Sequence, residues 1–298
     1  NEDPGWEEIS WDEAYDLVDS HMREAIERSG PHAVIGMSMV ASQIGSLVRG
    51  SALGAIYGSA EGASSDICGT GVHQMEYLLT GTGNARPDYK YCNYVIQFGT
   101  NAGTATRHGF NMTAELFANR RAEGLRHVVF DPHMGASGEK ADLWVPIRPG
   151  TDGAALAIAN VLIEEGLIDV EFLKTRTNAP SLVNVETGRI LFDETAGKSL
   201  YMDADGTPKT YDKCADPQLE GSFEVNGVAC KTGFTLYKER VAKYTPEYQE
   251  EITTVPAATI RQIAKELGEA AHIGETIEID GVTLPYRPAA VDAFSGIT

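Results

Sequence analysis

The chain has 298 residues, of which 42% are hydrophobic and 22% are charged, a composition typical of globular proteins and not of disordered ones. Its net charge of −19 argues against nucleic acid and anionic membrane surfaces as partners. No apolar run approaches the roughly 18 residues that cross a bilayer, so we expect no direct membrane insertion. The first residue is Asn1 and not Met, so we expect either an internal piece of a longer protein or a chain that has been processed or trimmed. This start leaves the protein's location in the cell open between cytoplasm and periplasm, and between a soluble and a peripheral protein.

The first predicted element is a helix. Ser10 and Glu13 form a capping box, apolar residues then recur at helical spacing, and Gly30 ends the pattern. A short buried strand is predicted next at 33–38, followed by a helix at 43–58.

The stretch GASSDICGTGVHQMEY (62–77) places one cysteine, Cys68, among small and polar residues. The chain's four cysteines contain no C-x-x-C pair, so the sequence encodes neither a zinc knuckle nor a cysteine-ligated iron–sulfur cluster. A disulfide is not indicated, and no histidine or asparagine spacing supports a protease-like nucleophile. Cys68 is therefore either a packed thiol or a metal ligand. Asp66, His73 and Glu76 lie close to it in sequence, but the sequence assigns none of them as a general acid or base.

Three predicted strands each run into a loop of small and polar residues. They are predicted at 93–103, 127–133 and 143–153. Helices are predicted at 111–124 and 152–166, the second with Asp152 as its N-cap. This alternation predicts an α/β fold: a doubly wound, mostly parallel sheet flanked by helices, with a small β-rich insertion and additional helices. In such sheets ligands bind at the carboxyl ends of the strands.

The loops after these strands contain the candidate binding residues. Gly99-Thr100-Asn101 would let exposed backbone N–H groups approach a phosphate. In Asp131-Pro132-His133, the carboxylate suits the hydroxyls or exocyclic amine of a nucleotide. In Pro149-Gly150-Thr151-Asp152, the carboxylate either caps the following helix or binds a guanine edge. Each loop alone is also an ordinary turn, but together they predict one sheet edge suited to a purine nucleotide.

The sequence pattern changes near residue 181. Short β-like runs broken by Gly and Asp extend to residue 233, and helical patterns resume at 234–244 and 256–270. We therefore divide the chain into three parts. These are an α/β dinucleotide-binding-like domain (1–180), a β-rich insertion (181–233) and a helical segment (234–298) that returns to the α/β domain and begins a further domain.

Four motifs resemble those of the molybdopterin oxidoreductases of the dimethyl sulfoxide reductase type. They are W-x-x-I-S-W-D-E-A from Trp6, FGTN from Phe98, the Asp131-Pro132 loop and AD-x-W-x-x-I-R-P-G-T-D from Ala141. The last motif is the most specific. The order and spacing of the motifs also match, and the resemblance runs from residue 6 to the end of the chain.

The resemblance implies molybdenum or tungsten bound by two pterin cofactors, as bis(molybdopterin guanine dinucleotide). It implies that FGTN, DPH and PGTD contact one dinucleotide. The family often supplies a metal ligand from a small-residue loop before the FGTN strand, and Cys68 matches that position. A soft thiolate suits a metal already held by dithiolene sulfurs. The resemblance places any iron–sulfur cluster before residue 1, and the partners it implies are a small-molecule substrate and an iron–sulfur electron-transfer subunit.

The main hypothesis is the central domain of a molybdenum or tungsten oxidoreductase catalytic subunit, with Cys68 as metal ligand and catalytic residue in oxygen-atom or two-electron transfer. One alternative is a hydratase, transhydroxylase or dehydroxylase-like member with the same cofactor. Another is a non-catalytic nucleotide-binding-like domain in which Cys68 is only packed. His133 departs from the family, which commonly has Arg there. We expect the isolated chain to be inactive, because the second pterin-binding domain would follow residue 298.

Overall fold

A computed structural model describes residues 5–37, 60–62, 74–82, 87–100, 110–151 and 154–293 of the protein. Three predicted site residues, Cys68, Asn101 and Asp152, lie outside these ranges, as does the helix predicted at 43–58. The chain divides into two compact units, Asn1–Ala85 and Arg86–Thr298.

In the first unit, the predicted N-terminal helix is confirmed as α1 (Trp11–Ser29). Its N-cap is Ser10, whose Oγ accepts the backbone N–H of Glu13 at 3.2 Å. It ends at Gly30, whose φ of 84° is open to glycine and disfavoured for other residues. A 3-10 turn (Pro31–Ala33) follows α1, and the other strands and α-helix described in this unit are β1 (Ile35–Met37), β2 (Ala60–Gly62) and α2 (Gln74–Thr80). The strand β1 confirms the strand predicted at 33–38.

The second unit contains the remaining described elements. Its helices are α3 (Phe110–Ala122), α4 (Ala136–Lys140), α5 (Ala155–Glu164), α6 (Val170–Arg176), α7 (Gly233–Val241), α8 (Pro246–Thr253) and α9 (Ala257–Ala270). Its strands are β3 (Tyr94–Phe98), β4 (Arg126–Phe130), β5 (Leu143–Val145), β6 (Leu182–Asn184), β7 (Phe192–Asp193), β8 (Lys198–Met202), β9 (Pro208–Thr210), β10 (Ser222–Val225), β11 (Val228–Thr232), β12 (Thr276–Ile279), β13 (Val282–Pro285) and β14 (Ala289–Ala293).

Four parallel strands form the main sheet, in the order β14-β3-β4-β5. Tyr94 of β3 lies opposite Ala289 of β14 and Arg126 of β4, and Val128 of β4 lies opposite Leu143 of β5. The three strands predicted from the sequence are thus neighbours in one sheet. The fourth, β14, belongs to the C-terminal tail, where the sequence did not predict a strand.

Helices cover both faces of this sheet. On one face, Ile96 of β3 packs in a core with Ile158 of α5 and Ile263 of α9. On the other face, Val95 packs with Phe117 of α3. The two cores separate because successive side chains of a strand point to opposite faces. The doubly wound α/β fold predicted from the sequence is therefore confirmed.

The region 181–233 contains two small antiparallel sheets, β10-β11-β6 and β7-β8-β9. Leu182, Met202, Val225 and Cys230 form a separate core there. The three cysteines in the described ranges, Cys92, Cys214 and Cys230, are free thiols. The division of the chain into parts at residues 180 and 233 stays a prediction.

The tail begins with a two-residue hairpin between β12 and β13. Asp280 and Gly281 have φ values of 51° and 77°, the left-handed pair that a type I′ turn requires. The chain then returns to the main sheet as β14. Within the described ranges, no helix combines the length and apolar character needed to cross a bilayer.

Candidate cofactor-binding site

The predicted site lies where β3, β4 and β5 end. Phe98, the last residue of β3, is in register with Phe130 of β4, which is in register with Val145 of β5. The backbone pairing extends one residue further, since Gly99 N–H donates to Phe130 O at 2.9 Å and Asp131 N–H donates to Val145 O at 3.2 Å. The strand ends therefore place Gly99 and Asp131 on neighbouring strands at one edge, as the sequence predicted.

The first loop starts with a tight backbone turn. Gly99 adopts a φ of 53° and is exposed, and Thr100 behind it is half-buried. The preceding Phe98 is buried and its ring stacks on Phe130, with centroids 4.8 Å apart. A packed aromatic pair thus fixes the point at which the glycine leaves the sheet. Asn101 lies outside the described residues.

The second loop is built around the carboxylate of Asp131. Its Oδ1 accepts the backbone N–H of His133 at 2.8 Å, which closes a turn over Pro132. The carbonyl oxygen of His133 accepts the N–H of Gly135 at 2.8 Å, and the His133 side chain is exposed. Among the described residues no group donates to Asp131 Oδ2. Within the part of the chain that the structure describes, one oxygen of this half-buried carboxylate therefore remains to accept from a ligand.

Trp144 of β5 holds this loop from the side. Its indole Nε1 donates to the backbone carbonyl of Asp131 at 2.9 Å. The ring lies close to Gly138 of α4, because a Cβ placed on that glycine would be 3.2 Å from Trp144 Cδ1. Sequence reasoning missed this role, although Trp144 stands inside the most specific motif.

The third loop is anchored to a helix end. Arg148 N–H donates to the carbonyl of Thr253, the last residue of α8, at 2.9 Å, and Thr151 Oγ1 donates to Arg148 O at 2.8 Å. Gly150 has a φ of 79°. Among the described residues, no hydrogen bond joins Pro149, Gly150 or Thr151 to the other two loops.

The helix predicted to start at Asp152 begins instead at Ala155. Its cap residue is Ala154, which has a left-handed φ of 64° and no capping side chain. The predicted N-cap role of Asp152 was therefore wrong for this helix, because the backbone turns one residue before α5. The position of the Asp152 side chain lies outside the described residues.

A buried polar group underlies the same edge. Gln97 of β3 and His127 of β4 are fully buried, and His127 Nε2 lies 2.8 Å from Gln97 Oε1. Tyr89 O–H donates to Asp292 Oδ2 of β14 at 2.6 Å. Burial and the adjacent Asp292 carboxylate raise the pKa of Tyr89, whereas burial and then the charge of Arg121 lower the pKa of His127 to about 4. The amino-acid sequence does contain a sign of this buried polar group, because each of the apolar strand sequences YVIQF and AAVDA includes one polar residue.

The metal-ligand prediction rests on residues that the structure does not describe. Cys68, Asp66 and His73 lie outside the described ranges, and Glu76 lies on α2. Within those ranges, no group of three or more His, Cys, Asp and Glu side chains is arranged to hold a metal ion.

The chain is similar in sequence to several known enzymes. A family model described as molybdopterin oxidoreductase matches residues 1–270. A sulfite dehydrogenase polypeptide of Allochromatium vinosum is 36% identical over 187 residues, 57% of this chain and 19% of that protein. A putative dimethyl sulfoxide reductase catalytic subunit of Halobacterium salinarum is 28% identical over 281 residues, 88% of this chain and 33% of that protein.

The fold is also found in a solved structure. Acetylene hydratase from Pelobacter acetylenicus superposes with a TM-score of 0.50 at 22% identity, covering 99% of this chain and 30% of that one. The chain thus spans a third or less of the length of these relatives. Because the family model matches nearly the whole sequence, the chain belongs to the molybdopterin oxidoreductase family.

Proposed function

We propose that the chain is part of the catalytic subunit of a molybdenum or tungsten enzyme, and that its sheet edge binds the guanine dinucleotide tail of one pterin cofactor. Membership of the family implies a molybdenum–pterin cofactor. The observation that carries the guanine assignment is the position of Gly99 and Asp131 at the ends of adjacent strands, with Asp131 Oδ2 left without a donor among the described residues.

The Asp131 carboxylate fits a guanine base. Guanine presents two neighbouring donors, a ring N–H and an exocyclic amine, and an ionised carboxylate only accepts hydrogen bonds. Oδ1 is occupied in part by the His133 N–H, and Oδ2 faces no competing donor in the described ranges. Adenine presents an acceptor where guanine presents the ring N–H, so this carboxylate favours guanine.

Backbone geometry at Gly99 and Gly150 fits the phosphates. Both residues have positive φ values and lack a Cβ, so a phosphate group can approach the main chain closely. Arg148, exposed in the third loop, adds one cationic side chain. Local donors of this kind are needed because the chain as a whole carries a charge of −19, which repels an anionic cofactor.

The proposal includes Cys68 as the protein ligand to the metal. A thiolate is a soft ligand of the kind that suits molybdenum or tungsten bound to sulfur. When bound, the metal centre supplies two-electron redox chemistry, so oxygen-atom or electron-pair transfer to a small-molecule substrate is the proposed reaction. Relatives whose names mark them as one of several subunits support an electron-transfer partner, which we propose to contain iron–sulfur clusters.

A hydratase, transhydroxylase or dehydroxylase with the same cofactor is the alternative. The likeness to acetylene hydratase shows a shared fold and by itself does not separate these reactions. The family match disfavours the non-catalytic nucleotide-binding domain.

Guanine recognition can be tested by comparing the affinity of the protein for GDP with its affinity for ADP, which carries adenine in place of guanine. We expect the protein to bind GDP at least about tenfold more tightly than ADP, since a bidentate base contact is worth roughly 1–3 kcal/mol. Asp131→Asn keeps an oxygen for the His133 turn but replaces Oδ2 by an amide NH₂ group, which donates and cannot accept, so the preference for GDP should disappear. Asp193→Asn is the matched control, because Asp193 also closes a turn through Oδ1, onto Thr195 and Ala196. Equal binding of GDP and ADP by the unchanged protein would overturn the assignment.

The ligand assignment needs metal analysis of the catalytic subunit expressed anaerobically with molybdate or tungstate. Cys68→Ala should alter the metal's absorption spectrum and abolish turnover, whereas Cys214→Ala, which removes a free and half-buried thiol, should change neither. A Cys68→Ala protein with unchanged spectrum and activity would make Cys68 a packed thiol.

A further inference from the structure

A row of polar side chains crosses three neighbouring strands directly beneath the candidate cofactor edge. Asp292 and Gln97 lie opposite each other in register, and Gln97 Nε2 donates to Asp292 Oδ2 at 3.4 Å. On its other side, Gln97 Oε1 lies 2.8 Å from Nε2 of His127. Tyr89 also donates its hydroxyl proton to Asp292 Oδ2. Gln97, the member of this row on β3, lies two residues before Gly99, where the first predicted loop begins.

The carboxylate determines the direction of every proton in this row. An ionised carboxylate only accepts hydrogen bonds, so Gln97 must turn its NH₂ group towards Asp292. That orientation leaves the Gln97 carbonyl oxygen facing His127. The imidazole must then carry its proton on Nε2, since a bare ring nitrogen facing a carbonyl oxygen would be repelled.

The charges around His127 agree with this proton arrangement. Nδ1 has no hydrogen-bond partner among the described residues, as expected for the nitrogen without a proton. The guanidinium of Arg121 lies over the ring of Phe117, which packs edge-on against His127 with centroids 4.8 Å apart. A nearby positive charge favours a lone pair over a second N–H on the imidazole. Asp142, the other charged neighbour within the described ranges, binds the backbone N–H of His127 at 2.7 Å and does not contact the ring nitrogens.

We propose that Asp292 is a positioning residue that acts through Gln97 to select the Nε2–H tautomer of His127 and to hold the ends of β14 and β3 in one arrangement beneath the cofactor loop. Asp292 itself does not contact the cofactor in this proposal. The tautomer follows from the described residues alone, whereas the effect on the cofactor loop rests on the proposed function.

The tautomer can be measured directly in the unchanged protein. Nitrogen-15 spectra of the histidine side chains, recorded at about pH 8 so that the imidazoles are neutral, distinguish Nε2–H from Nδ1–H. We expect His127 to be essentially all Nε2–H. A predominantly Nδ1–H His127 in the folded protein would overturn the proposal without any variant.

Three variants separate selection by the carboxylate from simple packing. Asp292→Asn allows the Gln97 amide to turn over, so a mixture of His127 tautomers is expected. Combining it with Gln97→Glu moves the carboxylate next to His127 and should restore the Nε2–H form. Asp142→Asn is the matched control, because it removes a carboxylate that binds the backbone N–H of His127 and not its ring, and it should leave the tautomer unchanged. An unaltered tautomer in a folded Asp292→Asn protein would also overturn the proposal.

Nucleotide binding gives a separate readout. In Asp292→Asn, GDP and ADP should both bind about threefold to tenfold more weakly with their ratio preserved, the loss expected from one supporting hydrogen bond. Loss of the GDP preference with unchanged overall affinity would contradict a positioning role. If the unchanged protein binds neither nucleotide, the proposed function fails, while the tautomer measurement still decides the role of Asp292 within the sheet.

Discussion

The indole N–H of Trp144 donates to the backbone carbonyl of Asp131 at 2.9 Å, so the ring of one strand fixes the loop that leaves its neighbour. Trp144 is half-buried and Asp131 stands at the same sheet edge as Gly99. The carboxylate that we assign to guanine thus depends on a contact made by a residue that touches no ligand in the proposal.

Trp144→Phe tests this dependence, because it keeps an aromatic ring and removes the donor. We expect about 1 kcal/mol less stability, the typical net value of one hydrogen bond, and a severalfold loss of GDP affinity as the Asp131 loop loosens. Urea unfolding and GDP titration measure the two effects. Trp11→Phe, on an exposed helix of the other unit, is the control and should leave both unchanged. Full GDP affinity in Trp144→Phe would mean that the Asp131 loop is held by other contacts.

Substitution of Gly150 is expected to lower the stability of the protein because of the backbone conformation at this position. Its φ of 79° lies in the left-handed region, while a Cβ there would meet no atom of the described residues within 4 Å. Gly150→Ala should therefore lower the free energy of unfolding by roughly 1–2 kcal/mol through backbone strain alone. Gly150→Asn is the matched comparison and should lose less, because asparagine tolerates this region better than alanine. Equal losses in the two variants, measured by urea unfolding, would point to crowding instead of backbone strain.

The features predicted correctly from the sequence depend on short-range rules. The start of α1 follows from Ser10 and its bond to the Glu13 N–H. The placement of Gly99 beside Asp131 follows because parallel strands end together, and the apolar runs before each residue identify the two strands.

The features that sequence reasoning missed depend on long-range pairing or on tertiary context. The strand β14 is short and its sequence is AAVDA, and it forms only by pairing with β3 almost two hundred residues earlier. The Tyr89–Asp292 hydrogen bond spans 203 residues, so no local pattern indicates it. At α5, the backbone turn at Ala154 overrides the general preference for Asp at an N-cap.

The ion pair between Asp169 and Arg287 should stabilise the protein in a pH-dependent way. Arg287 Nη2 lies 2.6 Å from Asp169 Oδ2, which ties the start of α6 to the segment entering β14. Burial raises the pKa of Asp169, but the Phe172 N–H and Arg287 outweigh it and the net pKa is lowered. The stabilisation is therefore present above the ordinary carboxyl pKa and is lost as the pH falls through the lowered one.

Asp169→Asn should cost about 1–2 kcal/mol at neutral pH, because the charged hydrogen bonds are lost while asparagine still caps the helix. The difference from the unchanged protein should shrink as the pH falls below about 4. Urea unfolding at several pH values measures it. Glu171→Gln, which removes an exposed charge from the first turn of the same helix, should show little change. A loss that is the same at every pH would exclude the ion pair as its cause.

His127 should make the protein less stable in mild acid. Burial and then the charge of Arg121 lower its pKa from 6.5 to about 4, so between these values the unfolded chain binds a proton that the folded protein does not. Stability is complete above the unfolded pKa and falls as the pH drops from 6.5 to about 4, by on the order of 3 kcal/mol.

His127→Gln keeps a side-chain amide donor but cannot be protonated, so the slope of unfolding free energy against pH should decrease by about one proton in this range. His133→Gln, which removes an exposed histidine from the same sheet edge, is the control. A His127→Gln protein with the slope of the unchanged protein would show that folding leaves the pKa of His127 near its ordinary value, so that burial would not be the cause of the acid sensitivity.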